Sequence, residues 1–408
     1  MSTKERRTFG TENIDVLLKA MVEKDASDLF ITVGMPPTLK VNGLIKPLSE
    51  WALNAEQVES SVYGIMSDEQ TQEFEAMLEA NFALNRPGLG RFRVNVFQQQ
   101  NEIGMVIRRI KLEIPTIEEL HLPLQLEELA MAKRGLVLVV GATSSGKSTT
   151  LAALIGQRNR NSHGHIVSVE EPIEFIHRHG ECIVTQREVG IDTHSYEEAL
   201  KNTLRQAPDV IMIGEIRTRE VMEHALTFAE TGHLVLSTLH ATNAYQALDR
   251  VINFFPEERR SQVLMDLALN LKAVVAQRLI PSVKGKTRCV AVEVMMNTPL
   301  VSDLILRGET HLIRDVMTKS NHQGMKTFDQ ALYELFKAGE ISQEDAILYA
   351  DAPNEVRLMI KLGGDKVDTG ELASSMKGVT LTLDEQDDED DEHVVVQNVR
   401  GNSRPLKR

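Results

Sequence analysis

Aromatic residues supply only 4% of this 408-residue chain, and cysteine occurs twice, at Cys182 and Cys289. Two distant thiols outside any CxxC or His-rich cluster suggest neither a disulfide framework nor a zinc module, so both are expected to be buried. Positive charge is in deficit: 45 Lys and Arg face 59 Asp and Glu, giving a formal net charge of −14. That balance argues against holding nucleic acid by non-specific phosphate neutralisation, and no stretch interleaves aromatic with basic residues. No apolar run is long enough to cross a bilayer, and the polar start MSTKERRTFG leads into no apolar core. The expectation is a cytoplasmic chain with no direct membrane insertion, any membrane association coming through a partner.

What the chain does have is length beyond one hydrophobic core, which implies two domains plus tails. From Asn13 the pattern IDVLLKAMVEK places Ile14, Leu17, Leu18, Met21 and Val22 on one helical face, with Thr11 as a cap. DLFITV and TLKVNGLIKPL predict short strands, and GRFRVNVFQQQ with GMVIRRIKL a strand pair, making residues 1–112 an α+β domain. Pro115 and Pro123 bracket a linker, 113–122. In 123–364 wholly apolar strands alternate with helices: LVLVVG, HIVSVE, DVIMIG and LVLSTLH separated by amphipathic segments. That alternation predicts an α/β fold with a mainly parallel sheet covered on both faces. Ser195 with Glu198 suggests a capping box, Gly232 a helix C-cap, and Pro256 and Pro281 the two ends of a long helix. Residues 365–408 form a polar tail whose EQDDEDDE block, 385–392, is expected to be solvated and disordered.

The strongest motif is GATSSGKST, residues 141–149, which fits G-x-x-x-x-G-K-[ST] directly after a strand and before a helix. Gly141 and Gly146 allow the backbone to curl so that N–H groups along Ala142, Thr143, Ser144, Ser145, Lys147, Ser148 and Thr149 face a phosphate, and a helix N-terminus adds partial positive charge. Lys147 would reach the β- and γ-phosphates and Ser148 would ligate Mg²⁺. The expected ligands are therefore a nucleoside triphosphate and Mg²⁺, the resemblance described below implying ATP.

In-line attack on a γ-phosphate also needs a group that orients or deprotonates water. Glu170, Glu171 and Glu174 follow HIVSV at the sheet edge where ligands bind in open α/β folds, although three clustered glutamates are also what an exposed loop shows. DVIMIGEIR carries Glu215 past Gly214, whose missing side chain would let the acid approach metal-bound water. Ser237, Thr238 and His240 end LVLSTLHATNA, where His240 is either a γ-phosphate contact or a structural histidine.

Taken in order, ASDLFITVGMPPTLKVNG, GRFRVNVF, GATSSGKST, VEEPIEF, QREVG, APDVIMIGEIR and AETGHLVLSTLHATNA resemble the secretion ATPase superfamily, within it the PilT/PilU group of type IV pilus retraction motors, over residues 12 to 362. The resemblance implies a PAS-like N-terminal domain, a RecA-like ATPase domain and a homohexameric ring acting on an inner-membrane pilus platform protein from its cytoplasmic face. It implies that Glu215 helps hold Mg²⁺ as an atypical Walker B acid and that Glu170 is the general base. His233 and His240 fall in the family's His box, and Arg91, Arg93 and Arg108 match basic positions that approach nucleotide on the other domain. Glu171 stands where Asp is more typical, and PLVSDLILRGETHLI, 299–313, follows the retraction motor's C-terminal segment only loosely; both departures point toward the PilU branch. The implied activity is ATP hydrolysis driving pilus retraction and twitching motility. The alternative is an ATP-binding accessory ring stacked on a related retraction ATPase, with little turnover alone.

Overall fold

The computed structural model describes residues 14–363 apart from 42, 111, 112, 286, 321 and 322. Thr11 and the acidic block 385–392 lie outside the described residues.

Two sheets organise the chain. The first is wholly antiparallel, in the order β3-β2-β1-β6-β5-β4. It is built from β1 (Asp28–Thr32), β2 (Thr38–Val41), β3 (Leu44–Pro47), β4 (Glu79–Arg86), β5 (Gly90–Gln99) and β6 (Glu102–Arg109). In β5, Phe92, Val94 and Val96 are buried while their neighbours are partly exposed, the two-residue period of a sheet with one covered face. Ile14, Leu18 and Met21 pack onto that face with Val58, Val62 and Phe74.

The second sheet runs β13-β12-β7-β11-β10-β8-β9. Its strands are β7 (Gly135–Gly141), β8 (Gly164–Glu170), β9 (Cys182–Glu188), β10 (Val210–Ile213), β11 (Leu234–Leu239), β12 (Leu271–Pro281) and β13 (Arg288–Met296). All neighbours pair in parallel except β12 with β13. Every residue of β7, β10 and β11 is buried. Leu136, Leu138 and Val140 face one core while Val137 and Val139 face the other, which is why these strands read as continuous apolar runs.

Several local expectations change. The helix opened by Pro256 is a 3₁₀ turn followed by Arg260–Asn270, and it stops well short of Pro281 because LKAVVAQRLIP is β12. Val274 and Val275 suit a pleated surface, and β12 buries against both β7 and β13. CIVTQRE, unassigned above, is the edge strand β9. Ser195 Oγ accepts from the Glu198 N–H, one half of a capping box. Gly232 follows helix Arg219–Glu230 at φ +101°. Ile117 and Leu122, in the stretch read as a linker, are buried with Leu126 and Val137 in the core of the second sheet. Cys182 is buried as expected, whereas Cys289 is only partly so.

Beyond β13, helices Pro299–Arg307, Ile313–Lys319, Phe328–Lys337, Gln343–Leu348 and Pro353–Lys361 pack on one side of the second sheet. The buried carboxylate of Glu293 joins them to it: Oε1 accepts from the Ala244 N–H at 2.7 Å and Oε2 from the Phe328 N–H at 3.3 Å. Those are the first residues of two helices, whose N–H groups have no partner within the helix. Burial pushes this carboxyl up to about 7. Arg278 stacks over Phe328 at 4.0 Å and donates to Asp351 at 2.5 Å. No described helix is long and apolar enough to cross a membrane.

Glu293→Ala is expected to leave both helix-start donors buried without an acceptor and to cost about 2–3 kcal/mol, read as a lower urea midpoint.

Candidate nucleotide site

The strand order places four chain segments side by side at one sheet edge. Moving across β7, β11, β10 and β8, the C-terminal ends carry Gly141, His240, Glu215 and Glu170. These ends surround a cleft of about 260 Å³ lined by Thr143, Ser144, Lys147, Ser148, Glu170, Glu171, Glu174, Glu215, Arg217 and His240 among others. β7 and β8 are consecutive in the chain but separated in the sheet by β11 and β10. Such a reversal of winding opens a crevice in a parallel sheet.

The loop after β7 is shaped for a large anion. Ser144 at φ +62° and Gly146 at φ +93° curl the backbone, and helix Lys147–Asn161 starts without a side-chain cap. Its first-turn N–H groups are therefore donors in need of an external acceptor. Gly141 has no room for a side chain: a Cβ there would lie 2.3 Å from Ser145 Oγ and 2.7 Å from the Gln277 carbonyl oxygen. Ser145 Oγ is buried and has no hydrogen-bond partner among the described residues. Lys147 Nζ folds back onto the carbonyl oxygens of Gly141 at 3.0 Å and Ala142 at 2.9 Å. Burial lowers its pKa, with Glu215 and Glu174 acting in the opposite direction. Of the predicted loop residues, Gly141 and Ala142 line a second cleft of about 500 Å³ on the His240 side, with Arg250 and Asp249, and Ser145, Gly146 and Thr149 line neither.

Glu170 is 5% exposed. Its Oε1 accepts from Ser168 Oγ at 2.8 Å and from Gln186 Nε2 at 3.1 Å. Burial dominates its environment and raises the pKa to about 7, against the opposing pull of those two hydrogen bonds. The exposed-loop reading of the glutamate cluster therefore fails at Glu170 and holds better at Glu171 and Glu174, which are exposed.

Glu215 is shared by two cations or potential cations. His240 Nε2 lies 2.7 Å from its Oε1, and Arg217 Nε donates to its Oε2 at 2.7 Å. Arg217 also reaches Glu171 at 3.7 Å, and its hydrogen bond to Glu215 raises the guanidinium pKa further. Arg217, the last residue of DVIMIGEIR, is a member of the site that the motif pattern does not mark. Gly214 has a different reason to be glycine than the one expected: a Cβ would stand 3.0 Å from the Tyr196 hydroxyl and 3.2 Å from the Glu170 Cα. Ser237 Oγ and Thr238 Oγ1 donate to the carbonyls of Ile213 and Gly214, locking β11 to β10 just before Glu215 and His240.

His233 precedes β11, so the six residues of that strand separate it from His240; its Nδ1 lies near Thr231 Oγ1 and the Phe228 carbonyl. The three arginines stay outside the cleft. Arg93 and Arg108 are cross-strand neighbours on β5 and β6, and Arg108 donates to Asp28 at 2.8 Å. Arg91 crosses to the second sheet and donates to buried Glu188 at 3.3 Å. Burial raises the pKa of that glutamate, and Arg91 then Arg93 partly offset the rise.

The model of the Type II/IV secretion system protein family matches residues 11–382. This chain belongs to that family. Within it the chain falls in the PilT/PilU group. It is 58% identical over 371 residues to the type IV pilus ATPase PilU of Pseudomonas aeruginosa, covering 91% of this chain and 97% of the relative. To the type IV pilus retraction ATPase PilT of the same organism it is 40% identical over 341 residues, 84% of this chain and 99% of the relative. A crystal structure of the pilus retraction motor PilT with bound ADP superposes with a TM-score of 0.79 at 38% identity, covering 84% of this chain and 98% of that one. The family thus accounts for an N-terminal domain followed by a RecA-like domain.

Gly141→Ala is expected to overpack the loop against the Gln277 carbonyl and cost about 1–3 kcal/mol, measured as a fall in urea midpoint.

Proposed function

We propose that this chain is an Mg-dependent ATPase that works as a homohexameric ring, powering or assisting type IV pilus retraction and twitching motility. The observation that carries the reading is the convergence of Lys147, Glu170, Glu215 and His240 on one cleft at a single sheet edge. The names of the relatives point to the type IV pilus, and the setting assigned to this chain is a ring at the cytoplasmic face of the inner membrane, held there by a pilus platform protein and working beside a related retraction ATPase. Residues 1–112 and 123–364, joined through 113–122, are assigned as the two units whose relative movement is the mechanical output. The tail 365–408 takes no part in this assignment.

The loop fits a nucleoside triphosphate on three counts: a Ser145 Oγ with no partner among the described residues, a helix start with no side-chain cap, and a lysine whose hydrogen bonds among those residues go to carbonyls of its own loop. Those weak neutral acceptors are what a phosphate would replace, giving Lys147 charge-assisted bonds. Ser148 and Glu215 are oxygen donors of the type magnesium selects and would hold it, directly or through water. When bound, the ion would neutralise charge between the β- and γ-phosphates. Glu215 would have to leave Arg217 or His240 to serve it, and either side chain is then free to face the terminal phosphate.

Glu170 is suited to take a proton from the attacking water, because a base acts best when its pKa lies near the working pH. Ionisation is required for that role, so turnover should rise with pH through about 7. Arg91, Arg93 and Arg108 are assigned the stabilisation of charge on the transferred phosphoryl group. In the arrangement described they are held by Asp28 and Glu188 or lie beside them, so that role requires closure of the first sheet's domain onto a nucleotide.

Steady-state hydrolysis by the purified chain tests the reading. Lys147→Ala is expected to weaken ATP affinity about 10–100-fold, followed with a fluorescent ATP analogue. Glu170→Gln is expected to keep that affinity, lower kcat about 10²–10⁴-fold and flatten the rise with pH. ATP binding by the unaltered chain without turnover would instead favour the accessory ring.

A further inference from the structure

QREVG, 186–190, covers the end of β9 and the turn that follows it. In β9 the side chains of Cys182, Val184, Gln186 and Glu188 share one face, and Gln186 stands opposite Ser168 in the parallel register with β8. Glu170 lies two residues beyond Ser168 on the same face. Two donors from neighbouring strands therefore meet one carboxylate oxygen: Ser168 Oγ at 2.8 Å and Gln186 Nε2 at 3.1 Å.

The Gln186 amide uses both of its ends. Nε2 also donates to the Phe175 carbonyl at 2.9 Å, and Oε1 accepts from the His177 N–H at 2.8 Å. A purely structural amide would need only those last two bonds to pin the segment after Pro172 to the sheet. The additional bond to Glu170 Oε1 places the acid and the segment that walls its side of the cleft on a single rigid group. With Ser168 on the same oxygen, rotation about the last bond of the Glu170 side chain is restrained, and the carboxylate plane is set relative to the cleft.

We infer that Gln186 is a positioning residue for the Glu170 carboxylate, fixing the orientation in which that carboxylate meets the attacking water. The inference rests on the hydrolase reading above, and it deepens it. An unrestrained carboxylate at the end of β8 can turn away from the cleft, and misplacement by about 1 Å costs on the order of 100-fold in rate. Binding of the nucleotide, which Lys147 and the helix start govern, does not pass through Gln186.

The test is a double-mutant cycle between Gln186→Leu and Glu170→Gln, with kcat expressed per nucleotide-binding site from titration with a fluorescent ATP analogue. Gln186→Glu, which keeps an acceptor for the His177 N–H and removes the donor, serves as a second variant should the leucine chain fold poorly. The expected result is unchanged analogue affinity within about twofold and a kcat lowered about 10–100-fold in either Gln186 variant. In the Glu170→Gln background the same substitution should give no further loss, since the group being positioned is already gone. Loss of affinity in parallel with kcat, or an equal further loss in that background, would overturn the assignment and leave Gln186 a structural amide. Absence of turnover in the unaltered chain would overturn the hydrolase reading itself, and the positioning role with it.

Discussion

The parallel hydrogen-bonded register of β7, β11, β10 and β8 is the constraint on which everything else depends. Parallel strands point their C-terminal ends the same way, so four segments far apart in the chain release their loops at one edge. Because both faces of this sheet are covered by helices and cores, the strands must be apolar throughout, and polar side chains can begin only where the strands stop. The polar residues that follow are thereby concentrated in a small volume. A cleft with a phosphate loop at one end and a buried acid at the other is the outcome.

Concentrating charge there creates a second demand: each charged group must be held while no ligand shares the load. The structure meets it locally. Lys147 turns to carbonyls of its own loop, Glu215 is shared by His240 and Arg217, and Glu170 rests on Ser168 and Gln186. The partners of Lys147 and Glu215 are exchangeable, since those bonds can be traded for bonds to a phosphate, a metal or a water, whereas Ser168 and Gln186 hold Glu170 in place. Arg91 and Glu188 extend the same arrangement across the two sheets, so the arginine expected to meet nucleotide is already tied to the domain that would bind it.

Away from the cleft, Glu293, Arg278 and Asp351 tie the loop after β11 to the C-terminal helices. Arg278 donates to the Thr242 carbonyl and Asn243 donates to Asp351, a short chain of polar contacts that begins two residues after His240. The edge that faces nucleotide and the helices that close the fold are thus mechanically continuous.

Periodicity and composition alone determined a good deal here: the alternating half-buried strands of the first sheet, the continuous apolar strands of the second, the phosphate loop, and the acids that follow HIVSV and DVIMIG. Each of these is local, since spacing in the chain dictates spacing in a strand, a turn or a helix start. β12 and β9 are not legible in the sequence, because an apolar run without a clear period becomes a strand only through its neighbours. Tertiary structure alone decided that Glu170 is buried while Glu171 is exposed, that Gln186 and Arg217 join the acids, and that His233 sits at the far end of the strand from His240. Those facts depend on strand order and register, which pair residues by hydrogen bonding across the sheet rather than by distance along the chain.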